Sequence, residues 1–562
     1  MKKLISVFLC MLMVFSAAFI TASAEENDLS IIVVNDLHLD LQDATAEKVA
    51  KRNSLSEVYA HASSGGQLPY ESVAIIKGFL RDAASLESET VIMPGDFTTV
   101  GSVAEHTAFI ALIKEFEETT GKKVFVVPGN HDYYGKLTVS EIEALYADFG
   151  YSEAIANHEG TASYVAELGN GYRLLAIDSC TPRDGIHGVD SDLEGWVKAQ
   201  CEKAKADGKK VIAMAHHNLV EHFTLAATIH KGSVINDGSN TLADTLADGG
   251  VKIIFTAHTH DQDIKKYTSA NGNVIYDCIT TSLNAYPCSY REVKFGEKID
   301  IKTKYVRSID TSLLPAGIHE EAMALAKSNF LAYAKNCTYI GINLTISYYL
   351  QPAPLKKALK TDNEELTAIL DPAIDKMCEV IALPLYKADE EEEGKSIEAM
   401  AEKFGTVLPE TDYKYLVDLV VDIYQAHAEG DENYPGYKDE MIVLQRALAV
   451  VLNHALSDLT AEQYTLVLSH LAASFGATLP DELLSFVGST LEKFKGSEMF
   501  VTAILLPVIT QFSVDEAPGD NNVTLPGYEA SAAEDSGDFL SMIRDFFKKI
   551  FDFFHMLFAL IA

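Results

Sequence analysis

Cysteine is scarce in this chain, and no two cysteines stand in a CxxC pair. Seven in 562 residues are too few for a disulfide scaffold, and their spacing excludes a thiolate zinc cluster. Basic residues are also in short supply. Lys and Arg number 45 against 81 Asp and Glu, a formal net charge of −36, which excludes a general binder of nucleic-acid polymer, because phosphate neutralisation needs excess cations. No fixed-period repeat is present, so a solenoid is excluded as well. What remains is ordinary globular composition, 48% hydrophobic and 22% charged, with length for more than one domain.

The first 24 residues read as a signal peptide. Lys2 and Lys3 form the basic start, Leu4 to Ile20 the apolar run, and Ala22-Ser23-Ala24 a small-x-small cleavage site. They hold two lysines and no acid, so the charge without them is −38. Such a protein is expected to be secreted or extracytoplasmic, held soluble by its acidity. Cys180, Cys201, Cys278, Cys288, Cys337 and Cys378 remain after cleavage. Their even number permits disulfides, and buried thiols fit equally well.

Residues 25–308 alternate apolar strands with amphipathic helices, the pattern of an α/β layered domain. Helices are expected over about 70–84, 103–119 and 192–205, the last carrying Trp196, and Val293 to Val306 alternates like a half-exposed antiparallel strand. Five apolar runs end in potential ligands. Ile31 to Val34 ends in Asn35-Asp36-Leu37-His38, and Val91 to Met93 in Pro94-Gly95-Asp96. Val124 to Val127 leads to Pro128-Gly129-Asn130-His131-Asp132, Val211 to Ala215 to His216-His217, and Ile253 to Phe255 to Thr256-Ala257-His258-Thr259-His260. In α/β architectures ligands bind beyond the carboxyl ends of strands, so these side chains are expected to converge. Carboxylate, amide oxygen and imidazole suit Mn, Fe or Zn, whereas a soft site would use thiolate.

The set Asp36-x-His38, Gly95-Asp96, Gly129-Asn130-His131-Asp132, His216 and Ala257-His258-x-His260 resembles the calcineurin-like metallophosphoesterase family, over roughly residues 28–305. The resemblance implies an α/β four-layered sandwich, two mixed sheets flanked by helices. It also implies two divalent or trivalent metal ions. Asp36, His38 and His260 would hold one, Asn130, His216 and His258 the other, and Asp96 would bridge them. His131 matches the general acid. A hydroxide bridging the ions would attack phosphorus in line. The substrate class is a phosphoester, with a phosphodiester favoured over a phosphomonoester. A surface binding protein with a degenerate site is the alternative outside enzymes. Two positions depart from the family pattern. Ala257 stands where a glycine is usual, and Thr99 stands where many members carry an Asp that orients the acid, or purple acid phosphatases an iron-binding Tyr. Arg183, Asp184, His187 and Asp190 are substrate-contact candidates in one loop.

From 309 to 512 the pattern becomes helical, an all-α domain with breaks expected at Pro352, Pro354, Pro372 and Pro384. His427, His454 and His470 read as ordinary helix-face residues. Residues 513–538 are polar and rich in Gly, Pro, Asp and Asn, as a linker is. In 539–562 the polar residues recur every three or four positions on a helix with a wide apolar face. Peripheral contact with a membrane or envelope and packing back on the helical domain are its two readings.

Overall fold

The computed structural model describes residues 28–41, 57–59, 66–180, 188–222, 232–358, 361, 363–387, 395–403, 405–430, 438–474, 481–494 and 518–528. The expected signal peptide, the amphipathic tail at 539–562, and Arg183, Asp184 and His187 lie outside them.

The strands are β1 (Leu29–Val33), β2 (Thr90–Pro94), β3 (Lys123–Val127), β4 (Ala156–Asn157), β5 (Tyr164–Gly169), β6 (Tyr172–Ile177), β7 (Lys210–Ala215), β8 (Ile253–Thr256), β9 (Asp263–Thr268), β10 (Val274–Ile279), β11 (Ser289–Phe295), β12 (Lys298–Tyr305) and β13 (Asn522–Pro526). They form two mixed sheets, ordered β13-β12-β11-β1-β2-β3 and β4-β5-β6-β7-β8-β10-β9. Strands β1-β2-β3 and β6-β7-β8-β10 are parallel, and the edges are antiparallel.

Alternation along each strand explains the layering. Ile31 and Val33 join Phe125, Val127, Leu174, Ile212, Met214 and Phe255 in a core between the sheets. Their neighbours Ile32 and Val34 face the other way, onto helices α1 (Ser72–Ala84) and α2 (Val103–Thr120), through Ile76, Phe79, Phe109 and Ile113. On the far side, Leu175, Ala213 and Ala215 meet Val197 of α4 (Ser191–Ala206) and Leu246 of α5 (Thr241–Asp248), while the short α3 (Val139–Leu145) follows β3. Both faces of the central strands are thus buried, which is why those strands read as unbroken apolar runs. Helix α2 begins at a Ser102/Glu105 capping box and ends at Gly121, whose φ of 73° is left-handed, the conformation glycine adopts without penalty.

The C-terminal region is helical: α6 (Glu320–Ser328), α7 (Phe330–Tyr349), α8 (Pro352–Ala358), α9 (Glu364–Ile381), α10 (Ile397–Lys403), α11 (Leu416–Glu429), α12 (Lys438–Leu456), α13 (Ala461–Ser474) and α14 (Asp481–Phe494). Phe330, Tyr333 and Cys337 of α7 join the core beneath α1. Val380, Leu385, Ile397, Leu419, Val443 and Val450 make a separate core for α9 to α12. Among the described residues no single helix is long and apolar enough to cross a membrane.

Three expectations differ in detail, and one alternative is settled. Pro372 sits inside α9 instead of ending it. The stretch Val293 to Val306 is a hairpin, β11 turning into β12 at Gly296-Glu297; Val293 and Phe295 before the turn and Ile299 and Ile301 after it keep the same odd-numbered phase, so period alone does not reveal it. The segment read as a linker, 513–538, contains β13, which pairs antiparallel with β12 (Ile299 with Leu525, Ile301 with Val523). Its single buried apolar residue, Leu525, is too little pattern to announce a strand. The six cysteines are all buried and free.

Candidate metal centre

Five strand ends converge on one point, and the backbone there is forced. Asp36, His38, Asp96, His258 and His260 have φ of 50°, 41°, 53°, 77° and 62°. Non-glycine residues rarely adopt this region, and where it clusters the surrounding structure is holding side chains in place for a task. Two glycines make the approach possible. A Cβ on Gly129 would lie 2.1 Å from Asp96 Oδ1, and one on Gly95 would lie 2.7 Å from His216 Nδ1.

The seven candidate ligands and His131 come together. His38 Nε2 lies 3.2 Å from His260 Nε2, and Asp36 Oδ1 lies 3.8 Å from the first and 3.6 Å from the second. Across from this trio, His216 Nε2 lies 3.0 Å from Asn130 Oδ1 and 3.2 Å from His258 Nδ1. Asp96 stands between the groups, its Oδ2 3.7 Å from His38 Nε2 and 3.3 Å from His216 Nε2. Its other oxygen accepts from the His131 amide at 2.8 Å. Asp36-His38-His260 and Asp96-His216-His258 each have the spacing to hold a metal ion, and so does His38-Asp96-His131.

These donors fit cations. Asp36 Oδ1 is buried and has no hydrogen-bond partner, an expensive arrangement for a protein left to itself. His216 donates its Nδ1–H to the Pro94 carbonyl at 3.0 Å. That fixes the tautomer and aims the Nε2 lone pair into the cluster. Burial would raise the Asp36 carboxyl, but the His260 and His216 imidazoles hold it down at about 2. Asp96 is likewise held well below the usual range by His216, His38 and His131 against the same burial. Burial pushes His38 and His258 down to about 3, keeping both neutral. His216 goes the other way. Burial opposes its charge, but Asp96 and Asp36 lift it to about 9, so in the absence of a cation a proton serves as one.

Four groups lie around the cluster in roles the sequence conceals. His131 donates its Nδ1–H to the main-chain carbonyl of Thr99 at 2.6 Å, so position 99 orients His131 through its backbone, whatever its side chain. The Thr99 hydroxyl instead donates to the His38 carbonyl at 3.0 Å. Asp132 turns away and accepts from the amides of Gly129, Phe97 and Thr98 and from the Thr98 hydroxyl, at 2.8 to 3.3 Å, clamping the β2 and β3 ends together. His427 of α11 lies 3.5 Å from Asp261, next to His260, so the helical region reaches the rim. The only sequence signal for it was a histidine on an otherwise unremarkable helix face.

Two residues fall outside the cluster. His217 is hydrogen-bonded to Ser179 through Nδ1 at 2.9 Å, and its ring backs that of His258 at 4.5 Å. Asp190 caps α4, accepting from the Leu193 amide at 2.9 Å.

Residues 29–262 match the family model described as calcineurin-like phosphoesterase. A comparison with curated proteins found no match. Among solved structures, a dimetal phosphatase from Danio rerio aligns over 50% of this chain and 98% of its own, at 10% identity and a TM-score of 0.36. A purple acid phosphatase from yellow lupin (Lupinus luteus) aligns over 50% and 52%, at 11% identity and 0.34. The NAD nucleotidase of Haemophilus influenzae aligns over 67% and 68%, at 13% identity and 0.27. Family members are metal-dependent phosphoester hydrolases. The match spans β1 to the His258-x-His260 loop, so residues 29–262 carry a calcineurin-like phosphoesterase domain.

Proposed function

We propose that this protein is an exported dimetal phosphodiesterase. Asp36, His38 and His260 would hold one ion, Asn130, His216 and His258 would hold the second, and Asp96 would serve both. The observation that carries the reading is the position of Asp96 Oδ2, 3.7 Å from a donor of one cluster and 3.3 Å from a donor of the other. Two cations bound there would supply Lewis acidity to the phosphoryl group and to an attacking water.

The chain's own residues do the rest. His131 is the acid. Its Nδ1–H is spent on the Thr99 carbonyl, so Nε2 is the atom facing the cluster, 4.0 Å from Asp96 Oδ2, and there it delivers a proton to the leaving oxygen. Asp36 and Asp96 stay ionised and bind cations in preference to protons. The His38 ring stands edge-on to His131 at 4.7 Å and limits its swing. The preference for a diester rests on the family resemblance and on Thr99 standing where purple acid phosphatases carry an iron-binding Tyr. Export rests on the sequence of residues 1–24.

The test uses the full chain, loaded with Mn, on bis(p-nitrophenyl) phosphate and p-nitrophenyl phosphate, together with elemental analysis. The expected result is metal uptake and preferential turnover of the diester. Asn130→Ala should lower metal content. His131→Ala should spare it and lower kcat on an alkyl diester by about 10²-fold. Metal-loaded protein inert towards both esters would defeat the proposal, and preference for the monoester would defeat its diester half.

A further inference from the structure

We infer that Tyr134 is a positioning residue of this centre, its hydroxyl setting the Asn130 amide and its ring bracing His131. The inference rests on the reading of Asn130 as a ligand and His131 as the acid.

The chain leaves β3 through Pro128-Gly129 and makes one tight helical turn over His131–Tyr133. Residues 130 and 134 flank this turn as its two caps and come within reach of each other. Asn130 Nδ2 donates to the Tyr134 hydroxyl oxygen at 2.9 Å. An amide has one end that can bind a cation and one that repels it. Engaging the nitrogen turns Oδ1 inward, to its place 3.0 Å from His216 Nε2. Among the described residues, Tyr134 is the only recorded side-chain partner of that nitrogen. Without the hydroxyl the amide is free to flip, and half of its orientations aim N–H groups at the ion.

The ring has a second task. Its centroid lies 4.4 Å from that of His131, at 41°, on an imidazole that also meets the His38 ring at 4.7 Å. His131 is thereby held between two rings, with its Nδ1–H anchored to Thr99. Tyr134 itself is 56% exposed, so it contributes little to the core, and its substitution leaves the fold intact.

Tyr134→Phe removes the hydroxyl and keeps the ring, and Tyr134→Ala removes both. The experiment is calorimetric titration of the metal-free full chain with Mn, followed by kinetics at saturating Mn on phosphodiesters with p-nitrophenolate or alkyl leaving groups. Tyr134→Phe should weaken the second Mn site about 10-fold and keep kcat near wild type once saturated. Tyr134→Ala should show the same loss of affinity and, in addition, a lower kcat on the alkyl ester alone, because p-nitrophenolate leaves without a proton. Restoration of that kcat by Phe assigns the bracing to the ring. Wild type binding two Mn ions with turnover supports the dimetal reading independently. On that footing, unchanged Mn affinity in Tyr134→Phe overturns the hydroxyl's role, and an equal kcat loss on both leaving groups in Tyr134→Ala overturns the ring's. Wild type that takes up no metal overturns the dimetal reading and this inference with it.

Discussion

His222 follows His216 in the segment after β7, and replacing it with alanine gives a sharp quantitative test. The imidazole is buried between two carboxylates, Nδ1 2.7 Å from Asp263 Oδ2 and Nε2 3.1 Å from Asp277 Oδ2. Burial opposes its charge, but Asp277 and Asp263 raise it from 6.5 to about 10, a preference for the charged form of about 4–5 kcal/mol at 1.36 kcal/mol per pKa unit. Removing one partner of a buried pair costs about 3–5 kcal/mol. Asp277 keeps three other bonds, from the Leu219 and Val220 amides and the Thr256 hydroxyl, which places the expected cost of His222→Ala near about 3 kcal/mol. The readout is amide exchange at Leu219 and Val220, where about 3 kcal/mol is a roughly 10²-fold loss of protection. The pH dependence has a definite sign. The folded value exceeds the unfolded one, so the stabilisation is complete below pH 6.5 and lost as pH rises through about 10. The deficit of the variant, corrected for intrinsic exchange, should be largest at pH 6 and shrink steadily towards pH 10. Exchanging Asp263 for Asn in the same background should recover part of it, by removing a stranded carboxylate. A deficit below about 1 kcal/mol, or one independent of pH across this range, would refute the ion-pair reasoning.

Two further outcomes follow from buried groups away from the cluster. Glu71 is fully buried under α7 and accepts from the Tyr333 hydroxyl at 2.5 Å; burial, opposed by that bond, lifts its carboxyl to about 7. The folded value again exceeds the unfolded one, so stability drains as pH rises from 4.5 through 7. Glu71→Gln should therefore match wild type in urea at pH 5 and exceed it by about 2–3 kcal/mol at pH 8. Ending the chain at residue 517 should lower the thermal midpoint. It strips β13 from β12 and takes from Arg291, which is wholly buried, its bond to the Asp520 carbonyl, about 2 kcal/mol for that charge-assisted bond alone.

The ligands were readable because strand ends are loud in sequence. A β-branched run stops, and Asp, Asn or His follows at once, as at Val34-Asn35-Asp36 and Val127-Pro128-Gly129-Asn130. The groups that aim them were silent. The Pro94 and Thr99 carbonyls act through backbone every residue has, so no letter announces them. Asp132 shows in sequence only as the last letter of Gly129-Asn130-His131-Asp132; its clamp on Gly129 and Thr98 depends on two strand ends meeting in space. The α7 boundary is subtler. Ile318 to Lys335 reads as one helical stretch, yet Asn329 at φ −154° breaks it, and its side chain caps the next helix through the Ala332 amide. Pro372 misled in the opposite direction, since packing of Ile369, Ala373 and Ile374 outweighs one missing amide.

Strand β13 alters how the whole chain is partitioned. The Thr303 amide donates to the Asn521 carbonyl at 3.0 Å, so the polypeptide departs the first sheet and returns to it at neighbouring atoms. The helical region is therefore an insertion within the phosphoesterase fold rather than an appendage after it, tied to the first core through Phe330, Tyr333 and Cys337. During synthesis the edge of β12 stays open until residues 522–526 emerge from the ribosome. An unpaired edge is the usual template for wrong pairing, so the interval spent translating the insertion is the period in which this chain is most exposed to misassembly.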